Sequence, residues 1–248
     1  MKLFEDIIRE LRTWMERMKA SGNDYTEHKV GRLPWPEGER GNIVMQTDTA
    51  IELGNPRDES VSFLVWTPVS DLVRDGVSTF IGPEVSSLPD ANLPFGKVVL
   101  LGVDGFTEDN CYERHREIEI VRYGMNLKGY MIRAVSQYMR EWSRISREAI
   151  ANGFSLTVLS SALMETYRKL GYIKSVETIF VTSTPADVRS LRPIGERAAR
   201  LIGAMNKMAQ ELSFDCSTCD FTDVCSEVSE LRSMRDALRS RGAISEKS

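Results

Sequence analysis

The chain has 248 residues, of which 42% are apolar and 27% charged, and its net charge is −4. That is enough chain to bury a core, as one large domain or two modest ones. Mild acidity without a long basic run argues against nucleic acid as the main partner, and the lack of any apolar segment of spanning length argues against a membrane.

Taken in order, the chain is expected to open with an amphipathic helix over residues 2–20. Phe4, Ile7, Ile8, Leu11, Trp14, Met15 and Met18 recur at helical spacing, with Glu5, Arg9, Arg12, Glu16 and Arg17 opposite. Ser21-Gly22-Asn23 stops it. The N-terminus is charged from Lys2 onward and has no signal-peptide core, so a cytoplasmic protein is expected. Residues 22–41, centred on Pro34-Trp35-Pro36, read as a linker or surface loop.

From residue 42 the pattern turns to strands. Ile43-Val44-Met45, Thr49–Leu53, Val61–Trp66, Ser78–Ile81 and Lys97–Val103 are β-branched or aromatic runs, separated by turn signals at Gly54-Asn55-Pro56, Asp75-Gly76 and Gly82-Pro83. Short strands in succession predict an antiparallel or mixed sheet. The second half reads as mainly helical. Met131, Ile132, Val135, Tyr138, Met139, Trp142 and Ile145 share one helical face, and Asn152-Gly153 closes that segment. Leu159, Leu163, Tyr167 and Leu170 make a further helix, followed by a strand over Val176–Val181. Thr184-Pro185 and Pro193 each start a helix, and a last one is expected from just after Cys225 to about Arg239. The expected class is α+β: an N-terminal helix and linker (1–41), a body of mixed or antiparallel sheet with packed helices (42–212), and a C-terminal helical metal-binding region (213–248).

The chemistry is concentrated near the end. Three of the chain's four cysteines, Cys216, Cys219 and Cys225, fall within ten residues as C-x2-C-x5-C. Two thiolates from one turn and a third from the next loop can reach a single metal centre, whereas the competing reading makes them small core residues. In a reducing cytoplasm metal is favoured over a disulfide. Cys111 is the only other cysteine, and His115 would share a helical face with it. Four thiolates would suit tetrahedral zinc or a [4Fe–4S] cluster; three would leave one iron open. The plainer readings are a half-buried thiol in a loop for Cys111 and a surface residue for His115.

A second constellation surrounds Trp142. Arg133, Arg140, Arg144 and Arg147 lie near it, with Arg114, Arg116, Arg122 and Lys128 upstream. Guanidinium forks beside an aromatic ring suit a phosphate-bearing, adenine-containing ligand. The alternative is a solvated charged helix face with Trp142 in the core. No phosphate-binding glycine loop or catalytic elbow points to another enzyme class.

The order of motifs resembles the acetyl-CoA synthase subunit of the carbon monoxide dehydrogenase/acetyl-CoA synthase complex, over its middle domain and the start of its cluster domain. The residues that carry the likeness are Glu52-Leu53-Gly54, Asp75-Gly76 and Ile81-Gly82-Pro83-Glu84-Val85, then Leu93-Pro94-Phe95-Gly96 and Glu113-Arg114. Trp142-Ser143-Arg144-Ile145-Ser146, Ala149 and Gly153-Phe154 follow, and the likeness spans about residues 47–232. It implies a [4Fe–4S] cluster in preference to zinc on the triplet, coenzyme A at Trp142 and Arg144, and a protein partner from a CO dehydrogenase or corrinoid system. The family's further cluster cysteine and its nickel-binding Cys-Gly-Cys motif have no counterpart, since no cysteine follows Cys225. The resemblance therefore implies an accessory subunit, without nickel and not competent for acetyl-CoA synthesis alone. A zinc-stapled interaction protein is the alternative.

Overall fold

The structure, a computed structural model, describes residues 1–38, 50–87, 92–135, 139–210 and 219–240. The expected strand Ile43–Met45 lies outside them. An amphipathic helix, α1 (Glu5–Ala20), comes first and buries Ile7, Ile8, Leu11, Trp14 and Met15. The chain then forms β1 (Tyr25–Lys29), β2 (Ala50–Leu53), β3 (Ser60–Thr67), β4 (Val77–Ile81), β5 (Asn92–Leu93) and β6 (Phe95–Val103). After α2 (Cys111–Val121) come β7 (Tyr130–Val135), β8 (Glu141–Ser146), α3 (Arg147–Ala151), α4 (Leu156–Arg168) and β9 (Ile173–Val181). Four helices close the sequence: α5 (Pro185–Ser190), α6 (Arg192–Gln210), α7 (Thr222–Glu227) and α8 (Ser229–Ser240).

The strands build two mixed sheets, as α+β patterning predicts. Sheet A has the order β1-β4-β9-β6-β3 and sheet B the order β5-β2-β8-β7. In sheet A, β4 pairs parallel to β9 and β3 parallel to β6, while β6 and β9 run antiparallel. Side chains alternate across the sheet, and the register assigns Phe63, Val98 and Ile179 to one face and Ser62, Lys97 and Phe180 to the other. The first face meets α1, α5 and α6. Gly195 of α6 lies so close to β3 that a Cβ there would fall 2.9 Å from the Phe63 ring. The second face meets α2 and α4; Ser160 of α4 shares hydrogen bonds with Ser78 and Thr178, the latter bond at 2.8 Å.

The N-terminal helix is pinned by charge as well as by apolar burial. Glu177 on β9 has a fully buried side chain. Arg12 grips both its oxygens at 2.5 and 2.6 Å, and Arg74 donates to it from Nε, Nη2 and the backbone. Trp14 Nε1 adds a 2.7 Å bond to Ser190 at the end of α5.

Three expectations need correction. Residues 22–41 are not all loop: β1 lies within them and pairs antiparallel with β4. Its residues after Tyr25 are exposed, so the strand shows no apolar alternation. The single helix expected across Met131–Ile145 is a β-hairpin, β7–β8, with Tyr130 and Ile145 facing each other. The last helix does not begin after Cys225: α7 already contains it, and α8 follows separately.

Sheet B joins sheet A through a buried ion pair. Lys97 of β6 and Glu141 of β8 are 2% and 0% exposed, and Lys97 Nζ lies 2.5 Å from both carboxylate oxygens. Ser62 and Ser143 donate to the same carboxylate, and the Ser60 hydroxyl bridges the Glu141 backbone at both its N–H and its C=O. Burial pushes the pKa of Glu141 up, but the Lys97 charge and these hydrogen bonds bring it below the usual carboxylate value, while burial lowers that of Lys97. Glu141→Ala, which strands the lysine, should destabilise the fold by about 3–5 kcal/mol in urea unfolding, whereas the double change Lys97→Met with Glu141→Leu should recover most of that loss. Equal stability of the single and double variants would show that the pair does not couple the sheets.

Candidate functional site

Trp142 lies on β8, two strands in from the edge formed by β5, and its neighbour Glu141 faces the opposite way into sheet A. Arg144, two residues on, is therefore on the Trp142 side. Its guanidinium carbon is 5.2 Å from the centre of the indole, and that of Arg133 is 5.3 Å away. Arg133 reaches the ring because β7 carries a register shift between Ile132 and Ala134 that makes Arg133 the extra residue. A bulge of this kind re-aims one side chain without breaking the ladder. The Trp142 indole N–H is buried and makes no hydrogen bond among the described residues.

The two arginines differ in commitment. Arg144 is buried, and its Nε and Nη2 meet Glu52 of β2 at 2.6 and 2.5 Å. Glu52 and Arg144 are directly paired in the β2–β8 register, so two motif segments far apart in sequence become one unit. Arg133 is exposed. The remaining basic residues grouped by sequence do not join this face. Arg140 donates to the carbonyl of Asp58 at 2.5 Å, and Arg114 donates to the carbonyls of Asp104 and Gly105 while stacking on Phe106 and Tyr172. Arg116 stacks on Tyr112, Arg147 and Lys128 are exposed, and Arg122 is buried beside α2.

Of the cysteines, Cys216 lies outside the described residues. Cys219 is in the turn that leads into α7, where the hydroxyl of Thr222 donates to its carbonyl at 2.9 Å, and Cys225 is buried one turn into that helix. Cys111 is far from a loop thiol in character: it is the first residue of α2 and fully buried. Its Sγ donates to the carbonyl of Glu108 at 3.6 Å, and burial pushes its pKa up to about 11. Among the described residues no three His, Cys, Asp or Glu side chains come together as a metal site.

Sequence reasoning missed the environment of His115. It is 1% exposed, not on the surface, and its Nδ1 accepts a 3.3 Å hydrogen bond from Trp66 Nε1. Nε2 therefore carries the proton of the neutral ring and has no hydrogen-bond partner among the described residues; the Glu119 carboxylate is 3.7 Å away. No signal in the charged stretch around His115 shows this, because the partner comes from a strand 49 positions earlier.

Residues 34–187 match the family model of the CO dehydrogenase/acetyl-CoA synthase complex beta subunit. This is more than half the chain, and the protein belongs to that family, so it is acetyl-CoA-synthase-like. The match takes in both sheets except β1, includes Trp142 and Arg144, and ends before the cysteine triplet. No curated protein matches the chain. Among the described residues no helix is long and apolar enough to cross a membrane.

Burial lowers the pKa of His115 below its ordinary value of 6.5, a shift that Glu119 opposes and Arg122 reinforces. The unfolded chain thus takes up a proton near pH 6.5 that the folded protein resists, and stability should fall as the pH drops through that value. Urea midpoints at pH 7.5, 6.5 and 5.5 should decline more steeply for the wild type than for His115→Gln. Parallel declines would mean that His115 is not buried as the neutral ring.

Proposed function

We propose that the protein is an acetyl-CoA-synthase-like iron–sulfur protein acting as an accessory or partner subunit in CO and corrinoid-linked one-carbon metabolism. The observation that carries this reading is Trp142 with two guanidinium groups over its ring and an indole N–H unpartnered among the described residues, inside the segment that matches the family. An aromatic face beside cations suits the adenine ring and phosphates of coenzyme A. Arg133 is the group that meets the ligand's phosphates. Arg144, already held by Glu52, supports the ring.

Cys216, Cys219 and Cys225 are the proposed ligands of a [4Fe–4S] cluster, which when bound would supply electron-transfer and Lewis-acid chemistry. Cys219 and Cys225 belong to one turn-and-helix unit, and three soft thiolates are a fitting donor set for iron. Cys111, the candidate fourth ligand, is a protonated thiol turned to its own backbone, which supports an open position on one iron. The 248 residues hold no Cys-Gly-Cys motif for nickel, so acetyl-CoA synthesis is not assigned to them alone.

Anaerobically purified protein should contain roughly four iron and four sulfide per chain, and Cys219→Ser should lose both. Full iron and sulfide in that variant, or stoichiometric zinc in the wild type, would sink the cluster. Coenzyme A should quench Trp fluorescence saturably and more weakly at high salt. Arg133→Ala should weaken binding by about 1–3 kcal/mol, the range of a charge-assisted contact, with unchanged melting temperature. Arg144→Ala is the poorer test, since it strands Glu52. Absence of saturable quenching at millimolar coenzyme A would leave Trp142 as ordinary surface.

A further inference from the structure

We propose that Arg122 anchors a second binding site, for a small oxyanion (a carboxylate or a phosphate group), between α2 and α4 on the side of sheet B turned away from Trp142. Arg122 begins the turn after α2 and is only 9% exposed. Its one hydrogen bond among the described residues runs from Nη2 to the hydroxyl of Tyr123, at 3.1 Å, while its buried Nε has no partner. A guanidinium withdrawn from water with a donor unmade is costly, and buried groups of this kind call for an unseen partner.

The surroundings narrow the partner's chemistry. Arg122 lies within electrostatic range of Lys97, Glu141, Tyr167 and His115. Glu141 cannot serve it, because both carboxylate oxygens are closed by Lys97 and by the hydroxyls of Ser62 and Ser143. One buried carboxylate thus stands against two buried cations. Tyr167, a residue 1% exposed on α4, is an electrostatic neighbour of Arg122. His115 Nε2, fixed as a donor by the Trp66 bond, is unpartnered among the described residues. The unmet groups, Arg122 Nε and His115 Nε2, are therefore donors beside a carboxylate whose oxygens are already engaged. The partially exposed Glu119 lies 3.7 Å from His115 Nε2, and among the described residues it forms no ion pair with Arg122. A water could accept hydrogen bonds here but would leave the charge uncompensated; an oxyanion answers both demands, and a guanidinium edge matches its geometry.

This site is independent of the coenzyme A reading, because alternation on β8 sends Glu141 and Trp142 to opposite faces. The test is thermal unfolding of the full chain, titrated with inorganic phosphate or with sodium acetate, at an ionic strength held constant with sodium chloride. One of the two should raise the melting temperature saturably, as a ligand of the native state does. Saturation by phosphate alone would point to a phosphorylated ligand, and by acetate to a carboxylate. Arg122→Met should abolish the shift, and Arg122→Lys, which keeps the charge but loses the fork, should weaken the apparent affinity roughly tenfold, the scale of one charge-assisted contact. Arg133→Ala should keep the shift, separating this site from the Trp142 face. If the methionine variant fails to fold, the lysine variant decides. No saturable shift with either anion, or an undiminished one in the Arg122 variants, would overturn the proposal.

Discussion

A lysine and a glutamate enclosed between two sheets fix the placement of the remaining parts. Lys97 stands third in β6 and Glu141 first in β8, and neither can be left without the other. Side-chain direction alternates along a strand, so a slip of one residue in β8 would turn Glu141 outward and drive Trp142 inward. Such a slip would bury an unpaired lysine, which costs several kcal/mol. The pair contributes more to the choice of register than to net stability. Through that register it decides which way Trp142 and Arg144 face. Gly54 completes the fit: at φ +61°, a Cβ there would lie 2.6 Å from the carbonyl of Glu141.

With the register set, the second face of β8 assembles from segments distant in sequence. Arg144 meets Glu52 across the β2–β8 ladder, and the β7 bulge brings Arg133 over the same indole. One guanidinium is immobilised by a buried carboxylate and the other is exposed at the rim. In the proposed coenzyme A site the fixed group would hold the aromatic ring and the exposed one would meet an incoming charge. Only two of eight nearby basic residues face Trp142, since carbonyls, rings and solvent engage the rest.

How much of this was legible in the sequence depended on burial. Helix α1, the strands β3, β4, β6 and β9, and the capped start of α5 follow directly from periodicity and from Thr184-Pro185, whose capping box with Asp187 is formed. The hairpin β7–β8 was misread because Met131, Ile132, Val135, Trp142 and Ile145 also satisfy a helical spacing. In the fold, both faces of the hairpin carry apolar and polar side chains, with Glu141 and Ser143 buried on one side and Trp142 half-buried on the other. Strand alternation, the signal that separates the two readings, is thereby blurred. β1 was missed for the opposite reason, since an exposed edge strand of polar residues has no burial pattern to show. The Trp142–Arg144 pairing was visible as a motif, but the role of Glu52 was not, because only the ladder brings it there.

The treatment of charge through the rest of the fold sharpens the meaning of Arg122. Glu177 is answered by Arg12 and Arg74, Glu141 by Lys97, and Glu52 by Arg144. Each of these carboxylates is buried, and each meets at least one cation within 3 Å. The same chain places Arg122 beside Glu141 yet gives that carboxylate wholly to Lys97 and two serines. Among the described residues the buried donors left without a partner are Arg122 Nε and His115 Nε2 beside α2, and Trp142 Nε1 on the other face of sheet B. A buried guanidinium with an unmade donor, beside a carboxylate already engaged by Lys97 and two serines, is a place where an anionic partner would supply the missing acceptor.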